Sequence, residues 1–440
     1  MVAAVVKRIP RTFIAYRFLA TMLTPLAGAL LKRRLARGKE HPTRIDERRG
    51  SAGMPRPTGP LVWVHGASVG EIVAALPIVD RLCAREFPVL VTSGTVTSAE
   101  LASQRLPVNA VHQFVPLDSP VFVKRFLDHW RPDLALFVES DLWPNLIFGT
   151  TQRRIPLILL NGRMSERSFT RWRRMPKTIE TLLEQFDLCL VRAPEDAERF
   201  GALGAPRLQT TGNLKLDVPP LPADIKALTA LRVAIAGRPI VVAASTHPDE
   251  EDALLEAHRQ LRLDFPRLLT IIVPRHPERG AEVAALAAAQ ELEAVQRSQG
   301  TLPSAATEIY ICDTLGELGL IFRVASVVFM GGSLIPHGGQ NPIEPIKLGA
   351  PVVHGPHVEN FADLYAALDK ASDTGPVADA ADLAARIKGL LTDNKARARL
   401  AAAGRRTIES LTGAADRSMA SIEPYLVQLR LEASAHDERA

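Results

Sequence analysis

From Pro60 onward, apolar runs of four to six residues alternate with stretches in which apolar and polar positions recur at helical spacing. Leu61-Val62-Trp63-Val64-His65 is the first run, and 69–85 is the helix after it. Val89-Leu90-Val91-Thr92 is the second, with a helix from Ser98. Further strands are predicted at 110–115, 134–138, 157–160, 188–191 and 208–211. Continuous apolar runs without polar alternation are what strands buried on both faces of a parallel sheet require. The βαβα rhythm therefore predicts a doubly wound sheet. Residues 218–239 open with Val218-Pro219-Pro220-Leu221-Pro222 and continue as a helical stretch to Gly237, which reads as an interdomain linker. The rhythm then restarts, with strands predicted at 240–244, 268–273, 309–312, 327–330 and 351–354 and alanine-rich helices to the C-terminus. The fold class is α/β: two Rossmann-like domains, 51–217 and 240–440, facing a cleft, with the last helix free to pack back on the first domain. Residues 1–50 stand apart as an anchor helix and basic flank.

At 440 residues, 47% of them hydrophobic, the chain is long enough for two cores. Cys83, Cys189 and Cys312 sit in apolar contexts without paired spacing, so they read as core thiols in a reducing compartment. Residues 1–50 carry 12 Lys/Arg against 3 Asp/Glu, so of the chain's net +5 the remaining 390 residues hold −4. The basicity belongs to the N-terminus. The body has no zinc-finger spacing and no RNP-like aromatic motif, and nucleic acid is not an expected partner.

Residues 12–31 are mostly apolar but include Arg17 and Pro25, and Lys32-Arg33-Arg34-Leu35-Ala36-Arg37-Gly38-Lys39 follows. A spanning helix needs about 20 predominantly apolar residues. A cationic flank after the apolar run argues against a cleaved signal peptide. Two readings stay open, a surface helix packed on its own domain and an amphipathic or signal-anchor helix. In the second, the basic cluster suits anionic headgroups and stays on the cytoplasmic side.

Candidate chemistry falls where predicted strands end. Ser68-Val69-Gly70-Glu71 has the spacing of a capping box, with Glu71 reaching back over the helix start. A carboxylate at a helix N-terminus is also held in its anionic form, fit to act as a general base at neutral pH. Glu139-Ser140-Asp141 ends another strand, as a solvated turn or a substrate contact. Lys215 follows Gly212-Asn213-Leu214, a surface charge or a group reaching into the cleft. Residues 163–177 hold six cations (Arg163, Arg167, Arg171, Arg173, Arg174 and Lys177) and one anion. They form either a solvated helix face or, interleaved with Phe169, Trp172 and Met175, a surface meeting phosphorylated lipid.

In the second half, Pro274-Arg275 puts a guanidinium, the bidentate partner of phosphate, at a strand end. Leu315-Gly316-Glu317 follows another short strand. Gly331-Gly332-Ser333 leads through a glycine-rich turn to Asn341-Pro342-Ile343-Glu344, where Asn341 suits an N-cap, Pro342 the first helical position and Glu344 the third. Strand, glycine turn and capped helix together offer backbone N–H groups to a phosphate, and the glutamate can accept ribose hydroxyls.

In combination these motifs resemble those of the 3-deoxy-D-manno-octulosonic acid (Kdo) transferases, the lipid A glycosyltransferases of Gram-negative bacteria, across nearly the whole chain. The resemblance implies the GT-B fold, CMP-Kdo as donor, and a tetraacyl lipid A precursor (lipid IVA) as acceptor. It also implies attachment to anionic lipids at the cytoplasmic face of the inner membrane. By position Glu71 matches the general base, and Glu139 and Lys215 match residues that stabilise the transition state. Pro274-Arg275, Leu315-Gly316-Glu317 and Asn341-Pro342-Ile343-Glu344 match the CMP-binding segments. Ser68, Gly70, Gly331, Gly332 and Ser333 are further candidates. The family commonly has Glu-Thr-Glu where this chain has Glu139-Ser140-Asp141, which leaves Asp141 without an assigned role. No metal and no cofactor are expected, because Arg275 and the helix start at Asn341 take the electrostatic role on the leaving phosphate. A GT-B enzyme using a UDP-sugar, as transferase or epimerase, is the alternative.

Overall fold

A seven-stranded parallel sheet organises the first half of the computed structural model, which describes residues 10–139 and 142–437. Its strands are β1 (Val62–His65), β2 (Val89–Ser93), β3 (Ala110–Phe114), β4 (Leu134–Val138), β5 (Leu157–Gly162), β6 (Leu188–Val191) and β7 (Leu208–Thr210), in the order β3-β2-β1-β4-β5-β6-β7. Both faces are covered. Trp63, Phe126, Trp130 and Phe137 pack on one side, and Val62, Val64, Ile72 and Ile78 on the other. The apolar runs were unbroken because successive side chains enter opposite cores.

The second sheet has six parallel strands: β8 (Ile240–Thr246), β9 (Leu269–Pro274), β10 (Ala294–Gln296), β11 (Ile309–Ile311), β12 (Val327–Met330) and β13 (Val352–His354), in the order β10-β11-β9-β8-β12-β13. Edge strand β10 was not predicted. It is three residues long and half-buried, so it carries no apolar run to read. The other twelve strands lie within one or two residues of their predicted bounds.

The chain divides into two units, one running to Val218 and resuming at Leu411, the other Pro219–Ser410. The final helix, Ala414–Asp437, belongs to the first unit, where Ala414, Ile422 and Leu426 join the core beside Ile72 and Val79. Residues 218–239 are not a bare linker. Their helix, Ile225–Ile235, buries Leu231 and Ile235 in the second unit's core, and the prolines before it only set its entry. All three cysteines are free and buried.

The N-terminal stretch forms helix Arg11–Leu23, a 3-10 turn at Thr24–Leu26 and helix Ala27–Leu35. Pro25 sits in the turn, where its missing N–H breaks the helical ladder. One face docks on the first unit. Phe13 is buried with its ring 4.0 Å from Phe148, Tyr16 donates to Asp118 at 2.8 Å, and Leu31 is fully buried. The opposite face leaves Ile14, Phe18, Leu19, Met22, Leu23, Leu26 and Leu30 each about half exposed or more. By length and composition the stretch is long and apolar enough to cross a membrane. The stretch thus has one face docked on the first unit and one bare apolar face.

Candidate active site

In the first sheet the strand order reverses between β1 and β4, the position where open α/β sheets bind ligands. The loop after β1 carries Ser68, Gly70 and Glu71, and Glu139 directly follows β4. Ser68 caps helix Val69–Ala84, its hydroxyl accepting from the Glu71 backbone N–H. The Glu71 carboxylate accepts from the Ala67 backbone N–H and, at 3.0 Å, from the Ser68 hydroxyl. The capping arrangement is therefore real, and it fixes the carboxylate at the positive end of the helix rather than excluding it from chemistry. Glu71 stays partly exposed, so a substrate hydroxyl can reach it. A Cβ at Gly66 would stand 2.9 Å from the Glu71 Cβ, so only glycine lets the strand end press this closely on the helix turn.

Glu139 has a left-handed backbone, φ 64°, and its carboxylate meets the Lys215 ammonium at 2.6 Å. Lys215 Nζ lies 3.7 Å from where a Cβ on Gly70 would be, which places the ammonium over the same helix start. An ammonium there opposes the helix dipole and needs a carboxylate partner; Glu139 supplies it. Glu71, Glu139 and Lys215 are thus brought together from three separate strand ends. Asp141 lies outside the described residues.

Sequence reasoning missed what holds Lys215. Asn161, buried at φ 53°, accepts from the Leu214 backbone N–H at 2.9 Å. Asn213 caps the following turn, Leu214–Leu216, and Asp217 accepts from Gly413 N–H at 2.7 Å, tying that turn to the final helix. An asparagine directly after an apolar strand was the visible signal.

Beneath the loop, fully buried His65 contacts the Thr92 hydroxyl at 2.9 Å through Nδ1, and burial pushes its pKa down to about 4. The unfolded chain, at about 6.5, then binds the proton that the folded one refuses. Stability from this group is complete above pH 6.5 and is lost as pH falls towards 4, by about 3 kcal/mol. The expected outcome in urea titrations is that His65→Asn loses less stability than wild type between pH 7 and 4.5. An equal loss in both would show that His65 does not set this slope.

Of the arginines, Arg167, Arg171 and Arg174 line a depression of about 570 Å³. Arg173 lies over the Phe169 ring at 5.7 Å, and Arg163 stands partly buried beyond β5.

In the second unit the order reverses between β8 and β12. Arg275 follows β9, exposed, with its backbone N–H bonded to Thr246 O at 2.9 Å. Pro274 is the last residue of β9. Gly331, Gly332 and Ser333 do not offer their backbone donors to a ligand. Buried Glu250 accepts from Gly332, Ser333 and Leu334 N–H at 2.6, 2.9 and 3.0 Å and from His247 N–H at 3.2 Å. Burial pushes its carboxyl up, while these four donors pull it down. The anion expected at this turn is the chain's own, and these three residues are corrected from ligand contacts to structural ones.

The helix after the turn begins at Ile343, one residue later than predicted, because Pro342 occupies the cap position in helical conformation. Asn341 still caps it, accepting from Ile343 N–H at 3.1 Å, and Glu344 is half-buried in the first turn. Glu317 is held by Arg297 at 2.5 and 2.8 Å and by the Thr314 hydroxyl; the Arg297 bonds hold its carboxyl below the usual range. Leu315 is exposed and Gly316 has a left-handed φ of 83°. The His247 ring lies 3.8 Å from that of His337 and 6.4 Å from that of His276. Among the described residues no three His, Cys, Asp or Glu side chains cluster as metal ligands would.

A family described as 3-deoxy-D-manno-octulosonic-acid transferase (kdotransferase) matches residues 43–218. Over 384 residues the chain is 35% identical to the 3-deoxy-D-manno-octulosonic acid transferase of Haemophilus influenzae, covering 86% of this chain and 89% of that one. It is 36% identical over 369 residues to a probable mitochondrial 3-deoxy-D-manno-octulosonic acid transferase of Arabidopsis thaliana, covering 81% and 82%. Among solved structures, a putative UDP-N-acetylglucosamine 2-epimerase from Listeria monocytogenes superposes with a TM-score of 0.59 at 14% identity, covering 84% of this chain and 98% of that one. At that identity the likeness is one of fold: two doubly wound domains of the GT-B class.

Proposed function

Because this chain belongs to the 3-deoxy-D-manno-octulosonic acid transferase family, we propose that it is an inverting glycosyltransferase moving Kdo from CMP-Kdo onto a phosphorylated, acylated glucosamine lipid, the lipid A precursor lipid IVA. The observation that carries this reading is the meeting of Glu71, Glu139 and Lys215 at one helix N-terminus. Glu71 takes the proton from the acceptor hydroxyl as its oxygen attacks the anomeric carbon. The bond from that carbon to the phosphate oxygen breaks on the opposite face, and CMP leaves with the electron pair. Positive charge developing on the sugar is balanced by the Glu139 carboxylate, which Lys215 holds in place.

In the second unit Arg275 supports the departing phosphate. Leu315-Gly316-Glu317 and Asn341-Pro342-Ile343-Glu344 hold the cytidine, with Glu344 facing ribose hydroxyls. Arg167, Arg171 and Arg174 receive the acceptor's phosphate. The exposed apolar face of helices Arg11–Leu35 rests on the cytoplasmic side of the inner membrane, with exposed Lys32 and Arg33 towards anionic headgroups.

Guanidinium and helix-start charges take the place of a metal on the leaving phosphate. The expected result in thermal-shift measurements is that CMP raises the melting temperature equally with and without excess chelator, while UDP has little effect. Stabilisation by UDP alone would replace this reading by a UDP-sugar enzyme, and a CMP shift that needs Mg²⁺ would remove the metal-free step.

A further inference from the structure

We propose that the first unit contains a slot for one acyl chain of the acceptor, formed between the N-terminal helix, helix Pro144–Thr151 and helix Pro176–Leu183. This deepens the acceptor assignment above and rests on it. The slot is a cavity of about 360 Å³ lined by Phe13, Trp143, Phe148, Trp172, Met175 and Leu182, among others. Interiors rarely leave voids larger than a water molecule, and a pocket of this size falls in the range of ligand sites.

Three of the four hydroxyl protons at the slot are already donated within the protein. Four hydroxyls reach it, from Thr12, Tyr16, Thr178 and Thr181. Thr12 and Thr178 bond each other at 2.6 Å, Tyr16 donates to Asp118 at 2.8 Å, and Thr181 donates to the Lys177 carbonyl at 2.7 Å. With most of its hydroxyl protons bonded to the protein and Phe13, Phe148, Trp143, Trp172, Met175 and Leu182 making up much of the wall, the slot offers an occupant mainly apolar contact. A flexible hydrocarbon chain suits such a wall.

Position names the source of that chain. Trp172 and Met175 line the slot, while Arg171 and Arg174, on the same stretch of chain, line the arginine depression. Apolar and cationic sites side by side fit an amphiphile with phosphate and acyl chain close together. Phe13 and Tyr16 also belong to the helix whose far face is bare and apolar, so the slot stands beside the surface that meets the membrane. Trp143, 44% exposed, marks the rim and lies four residues beyond Glu139. A chain seated here would place its glucosamine near the carboxylates that act on it.

The test fills the slot with Thr181→Phe, or with the milder Thr181→Leu should the larger ring unfold the protein. Transfer is measured to lipid IVA and to the same bisphosphorylated disaccharide stripped of acyl chains. The expected result is a KM for lipid IVA raised by roughly tenfold or more, the worth of a few buried methylenes, with transfer to the chain-free disaccharide unchanged. A parallel measurement reads the slot without turnover. Trp63 and Trp130 are fully buried elsewhere, so quenching of Trp143 and Trp172 by dibrominated acyl chains reports its occupant. Dibrominated lipid IVA in detergent micelles should quench wild type more than the filled variant, whereas dibrominated phosphatidylglycerol should quench both alike. An unchanged KM together with unchanged quenching overturns the slot. Quenching by phosphatidylglycerol that also falls in the variant overturns it in favour of bulk membrane lipid. Wild-type protein that transfers to no acylated phosphoglucosamine lipid removes the acceptor assignment, and the slot's role with it.

Discussion

Glu71→Gln is expected to retain the fold and lose the reaction. The amide oxygen can still accept from the Ala67 N–H while its NH2 donates to the Ser68 hydroxyl oxygen, and glutamine serves as well as glutamate at this capping position. What it cannot do is take a proton from an attacking hydroxyl. A positioned general base is worth about 10²–10⁴ in rate, so kcat should fall by about a thousandfold. The thermal shift produced by CMP should stay at its wild-type value, because the segments proposed to hold the nucleotide lie in the second unit. Glu71→Ala should lose the same activity and, in addition, about 1 kcal/mol of stability from the missing cap. Comparing the two variants separates base from cap. Wild-type turnover in Glu71→Gln would return the residue to a purely structural role.

Glu250→Ala is expected to be strongly destabilising. Its carboxylate is fully buried and accepts four backbone N–H groups, three of them from the turn after β12. Each buried donor left unpaired costs about 1–3 kcal/mol. Even with some relaxation the loss should reach about 4 kcal/mol. For a unit of this size that is a fall of about 10 °C in melting temperature. The turn leads directly to Asn341, so the CMP-induced shift should disappear with it. Glu250→Gln should fall between, since one oxygen still accepts while its NH2 faces a donor. If Glu250→Ala melts within 2–3 °C of wild type, the turn is held by something other than this carboxylate.

The βαβα plan was legible because both sheets are parallel and covered on both faces, so nearly every strand announced itself as an apolar run. Strand β10 escaped because a three-residue, half-buried edge strand asks for no such run. The positions of Glu71, Glu139 and Lys215 were legible as strand ends, but their convergence was not. It depends on strand order, which places β1 beside β4, and on Asn161 carrying the Lys215 turn back to the same crevice. The glycine turn at Gly331-Gly332-Ser333 misled for a physical reason. A row of free N–H groups predicts an anion but cannot say whose, and Glu250, some 80 residues earlier in the chain, sits in the acidic first turn of a helix with nothing in its local sequence to mark it as that anion. The N-terminal stretch showed its hydropathy but not its two faces, since Phe13 and Leu31 are no different in kind from the exposed Phe18 and Leu30.

The most direct test of the central claim incubates the purified full chain with CMP-Kdo and lipid IVA in excess chelator, followed by mass spectrometry of the lipid. The account predicts a lipid heavier by one or more whole Kdo residues, with CMP released in equal number, and no such product from Glu71→Gln. A lipid of unchanged mass beside consumption of a UDP-sugar, or full product from Glu71→Gln, would contradict it.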